Sequence, residues 1–513
     1  MEKVNWFWAH RRNSSLHHMS LIARGFHSRG FLPVVEFSFH NQIFVGKPGK
    51  GIYIFYDRDE LNQKYNDIQR SIEKNGNFAK DFKVISNNTF NELFNICKKI
   101  KETNLNEVTN EDLFQLLVEF KEKITVGPLI TIQLWGIEAC WDENYSLSKE
   151  LRSKASDREF PILKGKLSRS TGKSVALSEK ESFLTVCVEI QKIPELQNKF
   201  KIGTLKEICK SLEDFPNIKS SILEHITNFE WVNTEYVSEK WNFQKWIQLF
   251  QSELNTDAHF SLSSLHEQHD LALSEKQKII DQLELSDASK HVLNALNEFV
   301  SERDWAKGKF CYALSIYDLL LQEIANRLLV SKEDLLYMES EELVRMMKTS
   351  VSANVSVNNR KDGFALVSKQ GRITIIEKEG LEEFLSREGI EKHFSPITRV
   401  KSFGGVIASQ GKVRGRVRVI EKPELMSEFK DGEILVTYMT TMEFTPIFGK
   451  AAGIITDEGG LSSHAAIISR EFGVPCIVGT TIATRNLKTG DIVELNASEG
   501  KITILHDEDV SEL

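Results

Sequence analysis

The stretch GGLSSHAAIISREFGVPCIVGT, residues 459–480, sets one histidine behind a glycine pair and two hydroxyls, at the head of a helical pattern. Gly459 and Gly460 let the backbone turn sharply and approach a ligand closely. Ser462 and Ser463 are cap residues for a helix whose first turn carries His464. The free amides of such a helix start, with the positive end of its dipole, suit an anion such as a phosphoryl group. Imidazole is a competent nucleophile near neutral pH, and a covalent adduct on it splits one transfer into two easier steps. The pattern predicts that His464 takes a phosphoryl group and hands it on.

Around this segment the texture is that of a β-rich tail. VRGRVRVI (413–420) puts Val413, Val417 and Val419 on one face of a strand and Arg414, Arg416 and Arg418 on the other, which reads as a solvated arginine face. EILVT, AGIIT, CIVGT, DIVELNAS and KITIL are further short strands separated by glycines. Cys476, within the run GVPCIVG, reads as core packing. KHFSPITRVKSF reads as a linker, and Glu391 to Ser402 suits a hinge. Before it, residues 349–395 hold two strands about a Lys-Gln-Gly turn and a short helix. Residues 61–348 carry helical periodicity, with Thr109/Asp112 and Ser331/Asp334 as capping starts. Residues 1–60 form a small mixed segment, whose hairpin turns at the breaker set Gly46 to Gly51. Four parts follow: 1–60, 61–348, 349–395 and 396–513. The fold class is multidomain α+β, with a mostly helical N-terminal region and a compact β/β/α C-terminal domain.

Composition sets the outer limits. The chain of 513 residues is too long for one ordinary core. Hydrophobic residues at 41% and charged residues at 27% are the balance of a soluble globular protein. A formal charge of −8 points to no nucleic-acid or anionic-membrane partner. Six scattered cysteines without a CxxC pattern indicate reduced thiols, and no signal-peptide core opens the chain, so a cytoplasmic location is expected.

From Phe403 to Leu505 the sequence resembles the phosphohistidine, or swivelling mobile, domain of PEP-utilising enzymes, a family that includes PEP synthase, pyruvate phosphate dikinase and rifampin phosphotransferase. The features that carry the resemblance are GGVIASQGKVRGRVRVI, EILVTYMTTMEFTPIFGKAAGIITDEGG, LSSHAAIISREFGVPCIVGT and LKTGDIVELNASEGKI, in the family's order and spacing. The resemblance implies that His464 carries the phosphoryl group and that Thr456, Gly459, Gly460, Ser462 and Ser463 line its pocket. In larger members an ATP-grasp domain loads the histidine, and the mobile domain swings to a second site. No ATP-grasp unit or PEP/pyruvate barrel is legible here. GKLSRSTGKS (165–174) fails the phosphate-loop pattern, because Leu167 stands where the first glycine belongs.

The expected function is therefore that of a phosphotransferase component of PEP synthase-like or rifampin phosphotransferase-like type. ATP and Mg2+ would be bound by a separate ATP-grasp partner, and the acceptor would be a small molecule. An alternative is a phosphohistidine relay that docks a protein without turning over a small molecule. The helical region resembles the middle domain of rifampin phosphotransferase-like proteins, through LEHITNFEWVNTEY and the run from Glu341 to Ile376. Candidate acceptor-pocket residues are His225, Trp231 and Arg303, the last one turn from Lys307. His10, His17, His18 and His27 sit among arginines near the start and read as surface residues of a mixed segment. No metal site is expected, since neither carboxylates nor a regular i, i+4 histidine pair accompany them.

Overall fold

The architecture is that of a computed structural model, which describes residues 4–12, 14–26, 39–48, 51–124, 136–137, 140–141, 144–156, 159–168, 173, 175–230, 241–349, 357–395, 397–421, 423–440, 444–460 and 463–505. Packing divides the chain into two units. One comprises Met1–Ser148, Thr234–Lys240 and Ser286–Phe394; the other comprises Lys149–Asn233, Trp241–Leu285 and Ser395–Leu513.

In the first unit the chain ends of the helical region share one antiparallel sheet. Its strands are β1 (Trp6–Arg12), β2 (Asn41–Gly46), β3 (Ile52–Asp57), β4 (Phe364–Lys369) and β5 (Arg372–Glu377), in the order β1-β3-β2-β4-β5. Gln370 (φ 49°) and Gly371 (φ 81°) make the two-residue turn between β4 and β5, the positive-φ pair that a tight hairpin needs. The sequence reading separates 1–60 from 349–395, whereas β2 pairs with β4 from Asn41↔Lys369 to Gly46↔Phe364. Ile43, Val45, Phe55, Ala365 and Val367 bury one face of the sheet with Leu381, Phe384 and Leu385 of the helix Lys378–Glu388.

Helices complete that unit. Asp57 caps the helix Arg58–Lys74 by accepting from the Asp59 and Glu60 amides. Thr109 and Asp112 form the capping box of the helix Asn110–Lys123. The helix Phe78–Glu102 lies along the 42-residue helix Asp287–Leu328, with Phe82 edge-on to Phe299 at 5.9 Å, while Phe120 of the helix Asn110–Lys123 stacks on Tyr317 at 4.4 Å. The helix Leu16–Gly25 packs on β2 and β4 and buries His17 and His18. The sequence reading puts these two imidazoles on the surface; the structure corrects it, because the apolar stripe Leu16, Met19, Leu21 and Ala23 pulls that helix inward. Around it, Arg24 meets Glu339 at 2.7 Å, and Arg360 grips Glu342 at 2.6 and 3.0 Å and Glu377 at 2.9 Å.

The second unit contains a helical lobe and the C-terminal β-rich domain. In the lobe, Phe183, Leu184, Cys187 and Ile190 of the helix Val175–Gln191 form a core with Phe200, Ile222, Ile247 and Phe250. Pro194 and Pro216 occupy first-turn positions of their helices, where the missing amide costs nothing. The domain's strands are β6 (Ser402–Gly404), β7 (Val406–Ser409), β8 (Lys412–Val419), β9 (Ile434–Thr437), β10 (Gly453–Thr456), β11 (Cys476–Val478), β12 (Ile492–Asn496) and β13 (Lys501–Leu505). Their order is β6-β13-β12-β8-β9-β10-β11-β7, and β8, β9, β10 and β11 run parallel to one another.

Both faces of this parallel stretch are covered. Leu435, Ile454, Cys476 and Val478 pack with Phe448, Ala465, Ala466 and Ile468, while Ile434, Val436, Ile455 and Ile477 pack with Leu487, Val493 and Leu495. That is why ILVT, GIIT and CIV read as continuous apolar runs rather than alternating ones. The arginine face of β8 is engaged in ion pairs: Arg414 with Glu494 at 2.8 Å, and Arg418 with Glu433 at 2.8 and 3.0 Å. Among the described residues, no helix is long and apolar enough to cross a membrane.

Candidate functional site

Because β9, β10 and β11 are parallel, the loops that follow them leave from one edge of the sheet. These loops surround the start of the helix His464–Phe472. Ser463 takes the extended cap conformation (φ −70°, ψ 158°), and its Oγ accepts from the Ala466 amide at 3.3 Å. Its own amide donates to the Gly460 carbonyl at 3.0 Å, closing the turn that delivers the histidine. Gly473 (φ 65°) ends the helix in the left-handed conformation. Ala465, Ala466, Ile468 and Ser469 are buried, and His464 is half-buried at the exposed end of this helix.

Thr440 and Phe448 flank the imidazole. Thr440 Oγ1, from the loop after β9, lies 3.0 Å from His464 Nδ1. The Phe448 ring stands edge-on to it, with centroids 5.7 Å apart and planes at 90°. The loop after β10 is pinned from behind by Asp457. Its buried carboxylate accepts from the Thr480 hydroxyl at 3.2 Å, from the Thr484 amide at 3.1 Å and from the Thr484 hydroxyl. The Tyr438 hydroxyl donates to Glu458, and the Glu458 amide donates to the Tyr438 carbonyl at 2.9 Å, which ties the loops after β9 and β10 together.

Two glycines make this packing feasible. Gly459 has φ 117°, and a Cβ there would stand 2.7 Å from Ser463 Oγ. Gly479 has φ 69°, and a Cβ there would stand 2.8 Å from the Gly459 carbonyl oxygen, which is backbone and cannot swing aside. Gly479→Ala is therefore expected to push the 459–460 turn off Ser463, at a stability cost of about 1–3 kcal/mol. Thermal melts of parent and variant check this; an unchanged melting temperature refutes the clamp.

The positions singled out in the sequence distribute as follows. His464, Ser463, Gly459 and Gly460 come together at the helix start. Ser462 and Trp231 lie outside the described residues. Thr456 is buried; its hydroxyl donates to the Glu458 carbonyl, and its own carbonyl accepts from the Thr480 amide at 3.1 Å and hydroxyl at 3.0 Å. Thr456 thus shapes the turn from within. Cys476 is buried beneath the site, and desolvation pushes its thiol up to about 12, which makes it packing rather than a reactive group.

His225 is buried in the helical lobe of the second unit, whereas Arg303 and Lys307 are half-buried on the helix Asp287–Leu328 of the first. Of the early histidines, His27 and the side chain of His10 lie outside the described residues. Gly165, at the head of the rejected phosphate-loop run, lies inside the helix Glu159–Leu167. Thr440, Phe448, Asp457 and Glu458 belong to the site without having been legible in advance. Thr440 and Phe448 reach the histidine only through strand order.

Residues 429–500 match the family model described as "PEP-utilising enzyme, mobile domain". Among curated proteins the chain is similar to the uncharacterized phosphotransferase YvkC of Bacillus subtilis, at 46% identity over 20% of this chain and 12% of that protein. It is similar to the rifampicin phosphotransferase of Bacillus cereus, at 28% identity over 55% of this chain and 30% of that protein. It is also similar to the phosphoenolpyruvate synthase of Pyrococcus furiosus, at 49% identity over 19% of this chain and 12% of that protein. The matched stretches thus span 12 to 30% of these relatives' lengths.

Proposed function

We propose, the C-terminal domain being a mobile domain of the PEP-utilising enzyme family, that His464 carries a phosphoryl group from a nucleotide-using station to a small-molecule acceptor. The observation that carries this reading is the placing of His464 at a capped helix start with Nδ1 3.0 Å from Thr440 Oγ1. With a proton on Nδ1 donated to the threonine oxygen, Nε2 keeps its lone pair and becomes the nucleophile. The Nε2–P bond forms as the donor's bond to phosphorus breaks, and that electron pair leaves with the donor oxygen. The helix start and the dipole behind it favour the negative phosphoryl oxygens.

Loading requires ATP with Mg2+, which this reading assigns to a separate ATP-grasp protein in the same cytoplasmic compartment. Mg2+ on the nucleotide supplies charge neutralisation during the first transfer. The unit boundary at Phe394 and Ser395 falls inside the segment 391–402 read as a hinge, which supports a carrier that travels. Labelled ATP with such a partner, followed by a chase with pooled metabolites, tests the reading. Label leaving His464 for a small molecule is the expected result; label that stays on protein refutes it.

Thr440 gives a sharper readout. Thr440→Val is expected to slow phosphorylation about tenfold, the worth of one orienting hydrogen bond. 31P NMR of the parent should show the adduct on Nε2; a parent adduct on Nδ1 would contradict the assigned tautomer.

A further inference from the structure

The helical lobe of the second unit holds a second constellation of reactive groups. Glu179 and Ser182 are one turn apart on the helix Val175–Gln191, on the side that meets the helix Pro216–Phe229. From the latter, His225 reaches between them. Its Nδ1 lies 2.9 Å from Ser182 Oγ, and its Nε2 lies 3.6 Å from Glu179 Oε1. The imidazole is 1% exposed, and Nε2 has no hydrogen-bond partner among the described residues.

Four rings enclose it: Phe229 and Trp246 at 5.3 Å, Phe183 at 5.6 Å and Phe250 at 5.7 Å. A fifth hydrocarbon would fill that volume without the cost of burying a polar ring. Glu179, its side chain 13% exposed, and Ser182 are only partly buried and stand on the side of the cluster nearer solvent.

Ser182 Oγ, 2.9 Å from Nδ1, donates to the Nδ1 lone pair when the ring hydrogen sits on Nε2, the nitrogen on the Glu179 side. We infer that His225, backed by Glu179, is the base that takes the hydroxyl proton of the phosphoryl acceptor, that Ser182 Oγ marks where the acceptor oxygen binds, and that the acceptor is an uncharged alcohol. This rests on the phosphocarrier reading of His464. The acceptor oxygen forms its bond to phosphorus while the P–N bond to His464 breaks and its electron pair returns to the imidazole. The hydroxyl proton passes to Nδ1 of His225, leaving an imidazolium beside Glu179.

Three observations support the assignment. The lobe and the carrier domain fall in the same packed unit. The charged neighbour, Lys180, is paired with Glu253 at 3.0 Å and lies over the Phe183 ring, so an anionic acceptor would meet Glu179 without a free counter-ion from it. Burial depresses His225 to about 4, which keeps the imidazole neutral near pH 7 with a lone pair to accept a proton, and lifts the Glu179 carboxyl to about 7.

The test uses the full chain, loaded on His464 with phosphoramidate and then given benzyl alcohol as the probe, with benzyl phosphate and inorganic phosphate followed by 31P NMR. Glu179→Gln and His225→Gln are expected to lower the ratio of benzyl phosphate to inorganic phosphate at least tenfold. Glu181→Gln, one residue from the cluster side and paired with Lys173 and His266, should leave the ratio at the parent value. Glu179→Gln preserves shape and so keeps the test meaningful if His225→Gln fails to fold. Parent-level ratios in Glu179→Gln, or no benzyl phosphate from the loaded parent, overturn this assignment alone. Failure to load His464 at all would instead remove the phosphocarrier reading beneath it.

Discussion

Replacing His464 by alanine should reduce phosphoryl incorporation into this chain at least a thousandfold, to background. No neighbouring group in the described site can substitute for it. Thr440 and Ser463 are unactivated hydroxyls, Ser463 being occupied as the helix cap, and the Cys476 thiol lies buried beneath the site with its ionisation suppressed. The fold should survive. The cap bond from Ser463 Oγ to the Ala466 amide and the buried alanines of the helix do not involve the imidazole, so the melting free energy should move by less than about 1 kcal/mol. Acid-labile, base-stable radiolabel on parent and variant decides the matter: equal labelling of the two would place the phosphoryl group elsewhere and end the carrier account.

Acidification should unfold the first unit well before it harms the carrier domain. His17 and His18 are buried, and desolvation lowers them from 6.5 to about 4 and about 3. For His17 the Met338 carbonyl, Glu339 and Glu342 pull upward and Lys121 downward; for His18, His17 and Lys332 add to the lowering. The unfolded chain therefore binds these protons first as pH falls below 6.5. Stability from the neutral imidazoles is full above that value and drains away toward pH 4 and 3, at about 1.4 kcal/mol per pH unit for each histidine. From pH 6.5 to 4.5 the loss is about 5 kcal/mol for the two together.

His18 has no hydrogen bond at either ring nitrogen among the described residues, so leucine can replace it without stranding a partner. Thermal melts across this range should show a shallower acid slope for His18→Leu than for the parent. Parallel slopes would show that His18 is not the source.

The legible part of the fold was what lies close in sequence. The Gly46 to Gly51 breakers announced the β2–β3 hairpin, Thr109 with Asp112 announced a helix start, and each of β8 to β13 matched a short apolar or alternating run. β1 was not read, because Trp6-Phe7-Trp8-Ala9-His10-Arg11-Arg12 neither alternates nor forms an apolar run; the strand is a half-buried sheet edge. The burial of His17 and His18 was equally hidden, since polar residue types gave no sign that the whole helix would be covered.

At the site the histidine, its cap and the glycine turn could be read directly, because helix capping and tight turns are local chemistry. Thr440, 24 residues from His464, could not be read in this way. Nor could Asp457, whose partners Thr480 and Thr484 are 23 and 27 residues on. Only the side-by-side order of β9, β10 and β11 brings them together.

The pairing of β2 with β4 also sets a timetable for biosynthesis. β2 has β3 on one side from the start, but its other edge waits for Phe364, which leaves the ribosome some 300 residues later. At about 5 to 20 residues per second that interval is about 15 to 60 seconds. Throughout it the nascent chain displays an unpaired, strongly apolar strand, NQIFVG, as a template for stray association. Chaperone dependence during translation should accordingly be concentrated in this half of the protein, while the carrier domain, closed within its last 110 or so residues, can fold as soon as it emerges.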